Sequence, residues 1–251
     1  MNFTIITDPF FYAVAVPAVL LMGISKSGFG AGFGSMAVPL LALAVTVPQA
    51  AAILMPVLLL VDLMGLAVFR KQFDRALLKF LLPYGLLGTL IGALSFKFLD
   101  SHIVAGIVGF CTLLFLAQRL VFPPRADSYN PPRWLGMVLT TTSGFTSFVA
   151  HAGAPPLSAY VIPMRLAPVT FAASMSIYFF SINLAKWVPY AWLGLFAGPT
   201  LWTSLVLLPI APFGVWLGLR LTKRMSPALF YRLVYLGMFV TGSKLLWDAL
   251  G

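Results

Sequence analysis

The chain has 251 residues, of which 61% are hydrophobic and 9% charged, with a formal net charge of +10 at neutral pH. A soluble domain carries about 25% charged residues, so this composition excludes a water-soluble fold and points to an all-α polytopic membrane protein. The basic excess does not read as a nucleic-acid surface, because Lys and Arg fall mostly in short loops between apolar runs, where they mark the cytoplasmic side.

The first residues, MNFTIITDPFF, hold Asp8 and no Lys or Arg, so they lack the positive region and small-residue cleavage site of a signal peptide. Apolar segments then follow at 10–24, 35–47, 50–69, 77–96, 103–121, 134–150, 155–164, 169–190, 199–219 and 229–246. Two of them, 35–47 and 155–164, reach less than about 20 Å as helices, too short for a hydrocarbon core of about 30 Å. Each follows a stretch rich in Gly, Ser or Thr, and each is expected to form a re-entrant hairpin whose tip lies inside the membrane. The one cysteine, Cys111, excludes an internal disulfide.

The second half echoes the first at nearly constant separation. Gly28-Phe29 returns as Gly144-Phe145, Pro39-Leu40 as Pro156-Leu157, and Pro48 as Pro168. Three loops are basic: Arg70 to Lys79, Arg119 to Arg133, and Arg220 to Arg224. The loops at 97–102 and 188–199 are balanced or uncharged and belong on the opposite side. Repeat one (about 8–122) and repeat two (about 133–249) are therefore expected to be inverted, joined by a cytoplasmic linker at 123–132. Each would hold one broken-helix hairpin and three transmembrane helices, with both termini periplasmic. Inverted repeats with broken helices are the architecture of secondary transporters, whose site lies at the midplane where the breaks meet.

The first break, GISKSGFGAGFG, supplies Ser25, Lys26, Ser27, Gly28, Gly30 and Gly32. The second, from Thr140 to Pro156, supplies Ser143, Gly144, Thr146, Ser147 and His151. Free amides at the start of a half-helix, hydroxyls and a lysine suit a small oxyanion. Competing readings stand beside this one. The glycines also serve close helix packing, Lys26 and Lys186 can snorkel to an interface, and His151 can cap a carbonyl. In the long segments, Asp62 either carries a proton or pairs with Lys26 or Lys186, and Asn183 lies with Lys186 in the corresponding stretch of repeat two. Arg165 reads as a topological anchor, and Lys244 and Asp248 as interface charges.

The stretches GISKSGFGAGFGSMAVPLL and SGFTSFVAHAGAPPLSAYVIPM resemble the two signature regions of the sulfite exporter TauE/SafE family, also called the toluene sulfonate uptake permease family. The resemblance covers essentially the whole chain. It implies a bacterial inner-membrane carrier for sulfite, organosulfonates or related sulfur oxyanions. The segment Ser147 to Gly153 departs from the family pattern in having fewer glycines, with Phe148 and His151 at small-residue positions. The reading expects no cofactor or metal, a small anionic substrate, the lipid bilayer and a possible homo-oligomer as partners, and no nucleic acid. Its alternative is a carrier of another solute, a carboxylate or a cation. A cation site wants carboxylates, and the chain has no Glu and only Asp62 deep in a segment. An intramembrane enzyme would need a catalytic set around His102 or His151, and no HExxH or GxSxG motif accompanies them.

Overall fold

The computed structural model describes residues 5–26, 33–69, 72–96, 98, 100–121, 130–196, 198–224 and 227–250. These are helical almost throughout, and no strand occurs among them. The first half comprises α1 (Pro9–Lys26), a 3-10 turn (Phe33–Met36), α2 (Ala37–Leu41), α3 (Val47–Phe69), α4 (Arg75–Phe96) and α5 (Ser101–Val121). The second comprises α6 (Arg133–Ala150), α7 (Ala154–Val161) with a 3-10 turn (Ile162–Met164), α8 (Pro168–Trp192), α9 (Gly198–Leu207), α10 (Ile210–Arg224) and α11 (Pro227–Leu250). Each half thus runs long helix, break, short helix and long helix, followed by α4 and α5 in the first half and by α9 to α11 in the second. Pro39-Leu40 lies in α2 and Pro156-Leu157 in α7, while Pro48 and Pro168 open α3 and α8. Gly28-Phe29 lies outside the described residues.

Two stretches, Val47–Ala67 and Arg75–Phe96, are long and apolar enough to cross a bilayer by themselves, and the bent pair α9–α10 makes a third. At about 1.5 Å per residue, α5, α8 and α11 also have spanning length, with 21, 25 and 24 residues. Asn183 and Lys186 lower the hydropathy of α8, which is why composition alone ranks it behind α3.

Two expectations are corrected here, and one span gains a detail. The span at 199–219 bends by 42° between α9 and α10. Pro209 accounts for it: the ring has no N–H to donate and crowds the carbonyl four residues back. The segment at 35–47 is helical only to Leu41. The second break, read as Thr140 to Pro156, is confined to His151–Gly153, because α6 stays helical through Ala150.

The helices pair across the halves in matched fashion. α4 packs on α6 and α10 packs on α1; α3 crosses α8, and α5 crosses α11; α4 also meets α8 as α9 meets α3. Glycines permit the closest of these approaches. A Cβ at Gly144 would strike the Gly85 carbonyl, and one at Gly88 the Thr141 carbonyl, so α4 and α6 touch backbone to backbone. Gly23 and Gly214 do the same for α1 and α10. The opposite face of α4, with Leu86, Leu87, Leu90, Ile91 and Leu94, is exposed, as a lipid-facing stripe requires. The first half of α3, by contrast, is buried all round at Ala50–Met55. It is the centre of the bundle.

Candidate solute site

The end of α6 sets the site. A helix terminus leaves four carbonyls without intrahelical donors, and here they must be met inside the protein. Lys186 and Tyr190, one turn apart on α8, supply donors. The Lys186 ammonium donates to the Ser147 carbonyl (2.8 Å) and to Ser147 Oγ (3.0 Å), and the Tyr190 hydroxyl donates to the Phe148 carbonyl (2.6 Å). A cation at a helix C-terminus also meets the negative end of the dipole. Lys186 is fully buried (0% exposed), which speaks against the competing reading in which it snorkels to an interface.

His151 ends the helix in the left-handed region, at φ 53°. That conformation costs a non-glycine residue about 1–2 kcal/mol, and the side chain offsets it. Nε2 lies 2.8 Å from the Ala51 carbonyl of α3. A carbonyl only accepts, so Nε2 carries the ring proton. Nδ1 is then the acceptor and faces the Lys186 ammonium at 3.1 Å. His151 therefore links three elements: the α6 break, α3 and α8. The neighbouring Pro56 removes the donor that would satisfy the Ala52 carbonyl. On either side of Ala52, side chains approach α3, with His151 at Ala51 O and Ser204 Oγ at Ile53 O (2.7 Å).

The hydroxyls of the second break point into the fold. Ser143 Oγ donates to the Gly153 carbonyl (2.6 Å) and receives the Tyr178 hydroxyl (3.3 Å). Thr146 Oγ1 lies 3.0 Å from the Ala152 carbonyl and 2.9 Å from the Thr142 carbonyl. Its single proton serves one of them at a time. Gly144 packs against α4. The α7 terminus offers few free amides, since Pro155 and Pro156 have no N–H. Four of the five residues read from this break thus satisfy or flank its own carbonyls, and Gly144 serves packing.

Deeper in the bundle, Asn183 Nδ2 donates to Asp62 Oδ2 (2.5 Å) where α8 crosses α3. Both residues are buried. The amide presents its nitrogen to Asp62, which leaves Asn183 Oδ1 as an acceptor not engaged there.

At the first break, Ser25 lies in the last turn of α1 with its Oγ beside Gly34, 3.4 Å from where a Cβ would stand. Lys26 closes α1, but its side chain lies outside the described residues, as do Ser27, Gly28, Gly30 and Gly32. The 3-10 turn Phe33–Met36 touches α7, so the two breaks adjoin. The structure brings together Ser147, His151, Lys186, Asn183 and Asp62 around α3 and α8. Sequence reading missed Tyr190, Tyr178 and Ser204. Their hydroxyls sit within apolar helices, and only the position of the broken carbonyls gives them partners. No group of three or more His, Cys, Asp or Glu suited to a metal ion occurs among the described residues.

A family model described as sulfite exporter TauE/SafE matches residues 15–245 of the chain. Comparison with curated proteins and with solved structures gave no match.

Proposed function

The chain belongs to the sulfite exporter TauE/SafE family of membrane transporters, and from that premise we propose that it is a secondary carrier that moves a small sulfur-containing oxyanion out of the cell. The observation that carries the reading is the buried cluster of Lys186, Ser147 and His151 at a helix break, beside the Asp62–Asn183 pair. Ionisable groups at membrane depth mark solute and ion pathways.

The proposed site lies at the midplane, between the two breaks, and the proposed architecture is the inverted repeat. The matched pairing of helices across the halves supports it: partners exchange as a two-fold relation demands. Asp62 and Asn183 lie at nearly matching places in α3 and α8, 14 residues after Pro48 and 15 after Pro168, and meet each other. Residues related by a two-fold touch only near its axis, and the axis of an inverted repeat lies in the membrane plane. The Asp62–Asn183 contact supports a site near the midplane. Asp62 is the proposed carrier of a coupled proton.

The membrane is taken to be the bacterial inner membrane, with both termini periplasmic. Two contacts support this orientation. The Ile6 amide donates to Thr203 Oγ1 (3.2 Å) in the helix that follows the uncharged turn, and His102 Nδ1 donates to the Asp248 carbonyl (2.8 Å) near the C-terminus. Each terminus is thereby tied to a loop that lacks the basic excess of the cytoplasmic side.

The test is flux in proteoliposomes holding sulfite, sulfate, thiosulfate, methanesulfonate or a carboxylate such as acetate, under imposed proton and voltage gradients. Sulfite or a sulfonate should move fastest and respond to the proton gradient. Preferred carriage of acetate, or of a cation, would defeat the reading.

A further inference from the structure

Lys186 faces three acceptors at the α6 break, so its ammonium holds the break while lending the site its charge. The donors that a solute meets must include others. Two buried polar atoms on α8 remain without a hydrogen-bond partner: Asn183 Oδ1, an acceptor, and Trp187 Nε1, a donor. They stand four residues apart, one turn along the same face of the helix, with Lys186 between them in sequence and Tyr190 a turn beyond Lys186. The two atoms do not bond to each other, although side chains at this spacing are neighbours.

A buried donor and a buried acceptor left unmade each carry a desolvation cost that a partner would offset, and the two stand together on one helix face. A single group resolves both if it gives a hydrogen to Asn183 Oδ1 and offers an oxygen to the Trp187 N–H. A fully deprotonated oxyanion cannot do this, because it has no hydrogen to give. An oxyanion that keeps one proton does both. We propose that Asn183 Oδ1 and Trp187 Nε1 form a recognition pair for a proton-bearing, singly charged oxyanion. Trp187 is thereby a specificity-determining residue of the transport site. The inference rests on the anion-carrier reading above and deepens it by naming the protonation state of the solute. Asp62 fixes the pair's polarity, since it engages the amide nitrogen and leaves Oδ1 as the open acceptor.

The experiment uses the full chain in nanodiscs with isotope-labelled indole nitrogens, at a pH where hydrogensulfite prevails. The six tryptophans are assigned by single Trp→Phe variants. Hydrogensulfite should shift the Trp187 indole N–H resonance downfield. Trp187→Phe, which keeps an aromatic ring and removes the donor, should weaken hydrogensulfite binding about tenfold. Methanesulfonate has the same charge and no proton to give, and should bind the unaltered chain more weakly than hydrogensulfite. The wild-type spectrum decides the question even if the Trp187→Phe protein does not fold, because the other five variants assign the resonance by elimination. The pair is overturned if sulfite binds while the Trp187 resonance stays still, which is the behaviour of a site closed by water. It is also overturned if the two anions bind equally. If the chain binds neither anion, the anion-carrier reading falls and this inference with it.

Discussion

Lys186 is a buried cation that meets three acceptors at the end of one helix. Burying a charge is costly unless it is paired and hydrogen-bonded, so its removal tests whether these bonds outweigh that cost. Lys186→Met should lower stability by at least ~2 kcal/mol, because the Ser147 carbonyl and His151 Nδ1 lose a charged donor. Thermal unfolding in detergent reads this, and an unchanged melting temperature would mean that the ammonium does not fasten the break. Asp62→Asn is the milder change, since an amide oxygen still accepts from Asn183. The variant should fold and exchange solute, yet lose its dependence on an imposed pH gradient. Proton-coupled flux that survives in the folded variant would remove Asp62 from the coupling role.

The elements are joined by two kinds of contact. Apolar side chains fill the centre, and glycines let α4 reach α6 and α1 reach α10 backbone to backbone. Helix association in lipid depends on such close packing. Gly144→Ala should therefore destabilise the protein by about 1–3 kcal/mol, because its new methyl must push the Gly85 carbonyl away. Gly198→Ala, where the added methyl would come no closer than 4.0 Å to the Trp202 ring nitrogen, should change stability by less than about 0.5 kcal/mol. Comparable losses in the two variants would contradict the packing account. The bend at Pro209 is a second element-scale feature, and it has no equal in α4, where Pro83 lies inside an unbroken helix.

At the scale of the molecule, the proposed topology makes a direct statement about sidedness. In a chain with Cys111 replaced by Ser, single cysteines at Thr7 and Leu250 should react with an impermeant maleimide from the periplasm. One at Asn130, beside the basic linker, should react only after the membrane is opened. Cytoplasmic labelling of either terminal position would break the inverted arrangement, because the half that bears it must then contain an even number of crossings.

What the sequence determined by itself was local and compositional. The charge of the loops, the short segments too brief to span and the prolines that open α3 and α8 follow from rules that need no partner. The motif around Val38-Pro39-Leu40-Leu41 was enough to indicate the family. The site was only half legible. Ser147, His151, Lys186, Asn183 and Asp62 stand out as polar groups in apolar runs, but their roles depend on where a helix stops. That decision belongs to the tertiary structure. Thr140–Ala150 looked like broken backbone because Gly, Ser and Thr are weak helix formers. It stays helical because α4 packs on its glycine face and its hydroxyls reach forward to the carbonyls of Ala152 and Gly153. The Lys186 ammonium finds its partners across 39 and 35 residues of chain, and Asn183 finds Asp62 across 121. No local pattern encodes such pairings; only the crossing of α3, α6 and α8 brings those atoms within reach.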